Sequence, residues 1–532
     1  MVAPILASTW TRLSRTGQSL QVLIAPPEPP APGLYTYRVV LDGGQTRLHL
    51  RIERDGRGVL FRDVSDVFHL NPTAAEIAKL ALDGMPMPVT RKILQARYYS
   101  TDRAQITQDV GEIYDLVATL RRPDLDCTTC ALPYLPKTEL FSTAVQAPYK
   151  ADLALTYGCN NACSHCYNEP SRYPMTSLSR EDWCRVIDRL HEIGIPHLIM
   201  TGGEPTLHPN LPQLIRYADS QGHVVGLNSN GRRLAHRPYL DTLVDAGLNH
   251  VQITLGSCLP QVHNAMMGAR SFGQTVRGIE QALDSSLHTI TNTTLMQANK
   301  DHGEEIVQFL HDLGIRTFAM NGLIHSGGGF TNPGAIPENE MPALLLRIRD
   351  KAANLGMRFL WYTPTEYCRL SPVELEIGAK RCNAGEYSLC VEPNGDILPC
   401  QSYYVAAGNI LQDPWEQIWQ GNLFRSFQER VDSPRAAGLP EPCWTCPDLP
   451  LCAGGCRIER EARAGRRIAS GGHDGTCAAC LPKRTGAGRE GPTARLPLPE
   501  TGLVPDGRLA GKALRGSGPE TWRAREEGCL EP

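Results

Sequence analysis

Three cysteines fall within eight residues of Thr156-Tyr157-Gly158-Cys159-Asn160-Asn161-Ala162-Cys163-Ser164-His165-Cys166-Tyr167, spaced C-x3-C-x2-C. Thiolates so close together on one loop can wrap around a single soft centre. A 4Fe–4S cube takes four ligands, so three cysteines leave one iron open to a substrate or cofactor. A zinc site completed by His165 is the competing reading, because zinc also uses short cysteine spacings. The apolar run Leu153-Ala154-Leu155 directly before the loop reads as a strand, which puts the thiols at a strand's carboxyl end.

The elements that must position this loop follow in the chain. From Asp152 short apolar runs alternate with helical periods, the pattern of a parallel α/β sheet or barrel. The expected strands are Leu153–Thr156, His197–Thr201, His223–Asn228, His250–Leu255, Thr289–Leu295, Arg316–Met320 and Met357–Tyr362. One helix should start at Ser179, bury Trp183, Val186, Ile187, Leu190 and Ile193, and stop at Gly194. After the second strand comes Thr201-Gly202-Gly203-Glu204-Pro205-Thr206, where paired glycines permit close backbone approach and a carboxylate can accept from an ammonium.

Together, the cysteine loop with His165 before its last cysteine and the Gly-Gly-Glu-Pro turn one strand later resemble the radical S-adenosylmethionine (radical SAM) family. The resemblance implies a partial (β/α)6 barrel, with Cys159, Cys163 and Cys166 holding the cluster and its open iron chelating the amino and carboxylate groups of SAM. Reduction would then cleave SAM to a 5′-deoxyadenosyl radical. It further implies cofactor contacts from His165, Gly202, Gly203 and Glu204, from Ser229 in Asn228-Ser229-Asn230-Gly231, and from Thr254 at the end of the fourth strand. The chain departs from its relatives at Gly256, where they usually carry an acidic residue, and near Met267, where they often carry an arginine. Asn292-Thr293-Thr294 reads equally well as barrel packing.

Beyond Thr363 the cysteines become dense. Cys382, Gly395 and Cys400 are followed by Cys443, Cys446, Cys452, Cys456 and Cys477, in the order C-x12-G-x4-C, C-x2-C-x5-C-x3-C, C. This order resembles the SPASM domain, which implies two auxiliary 4Fe–4S clusters. By the family's crossed pattern one would use Cys382, Cys400 and Cys456, the other Cys443, Cys446, Cys452 and Cys477. Cys368, just upstream, is the candidate fourth ligand of the first, in competition with an open site. Cys184, Cys258 and Cys390 read as small buried hydrophobes, and Cys127 and Cys130 as free thiols in a linker.

At the other end, Tyr35–Val40, Leu48–Ile52 and Gly58–Phe61 read as strands, the second half-buried by its alternation. Thr73-Ala74-Ala75-Glu76 reads as a capping box opening a helix that Gly84 closes. Further helices are expected around Ile93–Tyr99 and Ile106–Leu120. This winged-helix-like unit is similar to the precursor-peptide recognition element of ribosomal peptide modification, which implies a leader peptide added to a sheet edge. The expected division is 1–34 Pro-rich tail, 35–125 recognition domain, 126–149 linker, 150–363 core barrel, 364–482 SPASM domain and 483–532 disordered tail.

A chain of 532 residues with 41% hydrophobic and 20% charged residues is an ordinary multidomain globular protein. Its net charge of −3 and the lack of a basic helical stripe give no sign of nucleic-acid binding. No apolar run is long enough to span a membrane. Eighteen cysteines without an export signal point to clusters in the cytoplasm rather than disulfides. The expected function is a radical SAM peptide maturase that crosslinks a ribosomally made precursor through C–S or C–C bonds, supplied with electrons by a flavodoxin or ferredoxin. Two alternatives are a sulfatase-maturase-like oxidation of a protein Ser or Cys, and a non-catalytic iron–sulfur peptide binder. The first is weakened by Gln401, because that group carries an aspartate general base after the auxiliary-cluster cysteine and an amide takes no proton at pH 7.

Overall fold

A computed structural model of the chain describes residues 28–41, 44–63, 66–122, 141 and 145–466. Most of the expected tail, most of the linker with Cys127 and Cys130, and everything after residue 466, Cys477 included, lie outside the described residues. Near the N-terminus, β1 (Gly33–Leu41), β2 (Gly44–Ile52), β3 (Gly58–Arg62) and β4 (Asp66–Leu70) form an antiparallel sheet in that order. Helices Pro72–Leu82, Met87–Arg97 and Arg103–Leu120 follow. The fourth strand was not foreseen. Its five residues turn Phe68 and Leu70 inward and leave Val67 and His69 exposed, a period too short to stand out from the helix lead-in. The helix cap also differs from the expected Thr73–Glu76 box. Asn71 accepts from Ala74 N–H at 2.8 Å, and Pro72, which has no N–H to satisfy, takes the first turn. Glu76 is buried instead, paired with Arg97 and accepting from the Tyr98 hydroxyl at 3.2 Å.

The second strand is buried on both faces rather than one. Leu48, Leu50 and Ile52 point into the core made with the three helices. Arg47, His49 and Arg51 point the other way, into the central domain. Arg47 bonds to Asp219 and the His223 carbonyl, and His49 Nε2 lies 2.8 Å from Gly222 O. Arg51 donates to Pro148 O at 2.9 Å and to Gly194 O at 3.2 Å, and pairs with Glu53 at 2.9 Å. A polar strand face satisfied only by another domain cannot show in a hydropathy pattern.

This interface should be acid-sensitive. Burial, reinforced by neighbouring His191, pushes His49 down to about 4 and His223 to about 3. An unfolded chain protonates both imidazoles below about 6.5, whereas the folded chain keeps them neutral. Their contribution to stability is therefore complete above pH 6.5 and declines as pH falls toward 4. The expected loss is on the order of 1 kcal/mol per histidine per pH unit. Urea unfolding at pH 7.5 and 5.5, with His49→Gln flattening the difference, checks this.

The central domain runs strand, helix, strand: β5 (Lys150–Thr156), β6 (His197–Gly202), β7 (Val224–Ser229), β8 (His250–Thr254), β9 (His288–Leu295), β10 (Thr317–Gly322) and β11 (Arg358–Trp361), all parallel. Each lies within two residues of expectation at both ends, apart from β5, which starts three residues early. The helix Arg180–Ile193 is capped by Ser179, which accepts from Asp182 N–H at 3.1 Å, and it ends at Gly194 with φ +92°. Trp183, Val186, Ile187 and Leu190 are fully buried in the core between sheet and helices.

The sheet does not stop at β5. The C-terminal domain adds β12 (Ser388–Val391), parallel to β5, and β13 (Ile397–Leu398), antiparallel to β12, giving the order β11-β10-β9-β8-β7-β6-β5-β12-β13. The cysteine-dense domain is thus hydrogen-bonded to the strand that ends in the cysteine loop. Among the described residues no helix is long and apolar enough to cross a membrane.

Candidate active site around the cysteine loop

Residues 157–168 form neither helix nor strand, and beyond the turn in which Cys166 N–H donates to Cys163 O at 3.2 Å their backbone groups must be satisfied from outside. Three neighbours do so. From β6, Gly203 N–H donates to Thr156 O at 2.6 Å and Glu204 N–H to Gly158 O at 2.8 Å. From the helix Pro260–Met267, Met267 O accepts from Ala162 N–H and Met266 O from Ser164 N–H, both at 3.0 Å. After β10, Gly329 N–H donates to Cys166 O at 3.3 Å, and Asn332 Nδ2 to Ser164 O at 2.7 Å.

Glycine is required where these backbones touch. A Cβ on Gly203 would lie 2.4 Å from Gly158 O, and one on Gly268 would lie 2.2 Å from Ala162 O. The close approach expected of Gly202 and Gly203 is therefore first an approach to the cysteine loop itself. Side chains complete the hold: Asn168 Nδ2 donates to Gly202 O at 3.1 Å, Asn230 Nδ2 to Asn160 Oδ1 at 2.6 Å, and Arg232 to Asn161 Oδ1 at 3.0 Å. Behind the loop Glu392 accepts from the Tyr157 hydroxyl at 2.8 Å and pairs with Arg172 at 2.7 Å, tying the loop to the C-terminal domain. Asn168, Arg172, Arg232 and Glu392 were not singled out in the sequence. Each is an isolated polar residue whose partner is distant in the chain.

Cys159 is exposed, and Cys163 and Cys166 are half-buried. Burial, then the charges of Cys166 and Cys159, push the Cys163 thiol up to about 12. The three are near enough to feel one another's charge. Among the described residues, however, no three His, Cys, Asp or Glu side chains close on a point as they would around one ion. His165 stands on the same loop, its Nδ1 buried without a hydrogen-bond partner and its ring pushed down to about 4 by burial.

Glu204 is 1% exposed, and its pKa is raised by burial against the pull of its donors. Oε1 accepts from Thr206 N–H at 3.1 Å, the Thr206 hydroxyl at 2.6 Å and the Ser229 hydroxyl at 2.9 Å, while Oε2 accepts only from Asn230 N–H, at 2.8 Å. Oε2 thus keeps a lone pair for an ammonium. Ser229 also accepts from Gly231 N–H at 3.0 Å, which ties its hydroxyl to both Glu204 and the turn after β7. Thr254 ends β8, in register with Asn292 on β9. At Gly256 a Cβ would lie 2.8 Å from the Met267 methyl, the movable end of a flexible side chain, and Met267 Sδ lies 3.6 Å from Cys163 Sγ. Asn292 donates to Asn321 Oδ1 at 2.9 Å across the sheet, which favours the packing reading.

The C-terminal thiols fall into two sets. Cys382, Cys400 and Cys456 pack together with Tyr403, Phe427 and Ile458. Cys443, Cys446 and Cys452 lie apart from them, in the short helices Glu441–Cys443 and Leu449–Cys452 and the turn between. The segment that leads to Cys368 touches one cysteine of each set: Pro364 O accepts from Cys456 N–H at 3.1 Å, and Thr365 O lies 3.7 Å from Cys452 Sγ. Cys390 is buried among Ala154, Tyr157, Leu398 and Tyr404, and Cys184 and Cys258 pack on the main core, as small hydrophobes would.

Residues 153–310 match the radical SAM superfamily and residues 382–447 the SPASM iron–sulfur cluster-binding domain. The chain carries a radical SAM domain and a SPASM domain. It is 29% identical to the PqqA peptide cyclase of Streptomyces rochei over 59% of this chain and 86% of that protein. It is 28% identical to the mycofactocin maturase MftC of Mycobacterium ulcerans over 62% of this chain and 87% of that one. In fold it resembles the crystal structure of Streptococcus suis SuiB bound to its precursor peptide SuiA, with a TM-score of 0.57 at 15% identity, covering 80% of this chain and 96% of that one.

The radical SAM domain implies a SAM-binding 4Fe–4S cluster, and the SPASM domain implies auxiliary clusters. The donor set fits: soft thiols are grouped in spaced threes rather than closed on one ion, and a metal would hold as thiolates the groups that burial otherwise keeps protonated.

Proposed function

We propose that the chain is a radical SAM peptide maturase that modifies a ribosomally synthesised precursor peptide, forming a C–S or C–C crosslink. The observation that carries this reading is the immobilised cysteine loop: three thiols on one turn, its backbone held from β6, from the helix Pro260–Met267 and from residues 329–332. Cys159, Cys163 and Cys166 would hold the SAM-binding cluster, which supplies reductive cleavage of the sulfonium to a 5′-deoxyadenosyl radical when loaded. Glu204 Oε2, which accepts only from Asn230 N–H, would take the methionine ammonium, and Gly202, Gly203 and Thr254 would supply the further cofactor contacts that the resemblance implies. The curated relatives' names, a peptide cyclase and maturases, point to the same substrate class.

The N-terminal sheet would take the leader peptide as an added edge strand. It docks through residues preceding β5, β6 and β7 (Pro148, Gly194 and Gly222), whereas the cysteine loop follows β5. A docked leader must therefore pass from one end of the strands to the other, about 20 Å for six residues of strand. Electrons would come from a flavodoxin or ferredoxin in the cytoplasm. Oxidation of a protein Ser or Cys by an aspartate base is disfavoured by Gln401, which stands beside Tyr167, Thr201 and Gly202 with its Oε1 buried and unpartnered.

The test is anaerobic reconstitution, reduction and addition of SAM, followed by co-expression with a short open reading frame adjacent to the gene. 5′-Deoxyadenosine should form in the wild type and fall to background in Cys163→Ala, and the peptide should lose two mass units. Wild-type protein that makes no 5′-deoxyadenosine would support the non-catalytic binder instead.

A further inference from the structure

The cysteine loop carries a buried amide donor that has no acceptor among the described residues. Asn161 stands two residues after Cys159 and two before Cys163, and its backbone N–H donates to Cys159 Sγ at 3.4 Å. Its side-chain oxygen is taken, because Oδ1 accepts from the Arg232 guanidinium at 3.0 Å. Arg232 is itself held, donating through Nε to Gln274 Oε1 at 2.8 Å and bonding also to the Asn160 carbonyl. A guanidinium only donates, so the Asn161 amide cannot turn its NH2 to that side. Nδ2 therefore points away from Arg232, and it is buried there without a hydrogen-bond partner. The neighbouring Asn160 differs: its Oδ1 accepts from Asn230 Nδ2 at 2.6 Å. A buried donor left unpaired is costly, and a loop that fixes one beside three thiols is built for an acceptor that arrives with its ligand.

We propose that Asn161 donates a hydrogen bond from Nδ2 to a sulfur of the cluster held by Cys159, Cys163 and Cys166, with Arg232 as the residue that positions the amide. The inference rests on the reading of these three thiols as the SAM-binding cluster site. The potential of such a cluster depends on the hydrogen bonds made to its sulfurs. A donor favours the reduced state, which carries one more negative charge, over the oxidised one. Asn161 thus raises the potential at which the first cluster accepts its electron, and Arg232 does so through it by holding the amide in one orientation.

The test uses the full chain, reconstituted anaerobically with iron and sulfide, as wild type, Asn161→Leu and Asn161→Ala, with iron per chain measured in each. The first cluster is identified as the reduced EPR signal that changes when SAM is added, and its midpoint is then titrated without SAM. At a fixed potential the reduced-to-oxidised ratio should fall about tenfold in both variants, a downward shift of about 59 mV for one electron. In protein grown with asparagine labelled by nitrogen-15 in the side-chain amide, the reduced wild type should show a nitrogen coupling in its electron spin echo spectrum that both variants lack. An unchanged midpoint in variants with full iron, or no such coupling in the wild type, would overturn the proposal. A wild type in which no iron–sulfur signal responds to SAM would overturn the reading of the loop itself, an outcome visible before any variant is compared.

Discussion

Gly203→Ala is expected to empty the first cluster site without removing a ligand. The new methyl carbon would lie 2.4 Å from Gly158 O, 2.5 Å from Tyr157 O and 2.7 Å from Tyr157 C, all backbone atoms that cannot rotate away. Relief requires the β6 turn and the cysteine loop to part, which breaks the bonds from Gly203 N–H to Thr156 O and from Glu204 N–H to Gly158 O. Cys159 is the next residue along, so its thiol moves with the carbonyl that is displaced. Overpacking of this kind costs about 1–3 kcal/mol where side chains can yield, and more where only backbone can. The variant should hold about four fewer irons per chain than wild type and lose at least ~100-fold in 5′-deoxyadenosine formation, with the C-terminal clusters intact. Gly273→Ala is the control: it lies in the helix Phe272–Leu283 with nothing within 4 Å of the added carbon, and should leave both readouts unchanged. Full iron content in Gly203→Ala would show that the two loops are not rigidly locked.

Glu204→Gln should weaken SAM binding by about tenfold to a hundredfold while leaving the iron content near wild type. Glu204 serves four donors and offers none, which a carboxylate can do and an amide cannot. Whichever way the glutamine amide turns, its NH2 meets at least one N–H or O–H, and a buried donor then goes unpaired, at about 1–3 kcal/mol. If the amide instead turns its NH2 to the ligand side, it opposes an ammonium. The first arrangement costs stability with or without ligand, the second opposes the ligand directly, and in both the neutral amide lacks the charge that attracts an ammonium. Ser229→Ala removes one of the four donors and should cost about 1 kcal/mol of stability, with a smaller effect on SAM affinity. Calorimetric titration with SAM and thermal unfolding of the same preparations separate the two. A larger loss of affinity in Ser229→Ala than in Glu204→Gln would mean that the hydroxyl reaches the ligand after all.

Much of the site could be read in the chain because its chemistry is local. The Cys159/Cys163/Cys166 loop and the Gly202–Glu204 turn each lie within a few residues, and the strand–helix period between them is regular enough to place both at strand ends. The same holds for the helix from Ser179 to Gly194, whose cap, buried face and left-handed stop are all encoded within sixteen residues. What escaped was long-range or polar. Arg47, His49 and Arg51 on β2 read as a solvated face and are buried against another domain. The bonds that tie Ser229 to Glu204 and Gly231 were not legible either.

The sequence by itself determined the type of chemistry, because thiol count and spacing decide which centre a loop can hold. It also determined the order of strands and helices in the central domain, because hydrophobic period is a property of neighbouring residues. Only the tertiary structure decided that β12 extends the barrel sheet beside β5, and that the cysteine loop is held by carbonyls and amides from three separate elements. Those arrangements depend on backbone hydrogen bonds, which every residue can offer, and on contacts between residues up to 238 positions apart. No local pattern of side chains records either.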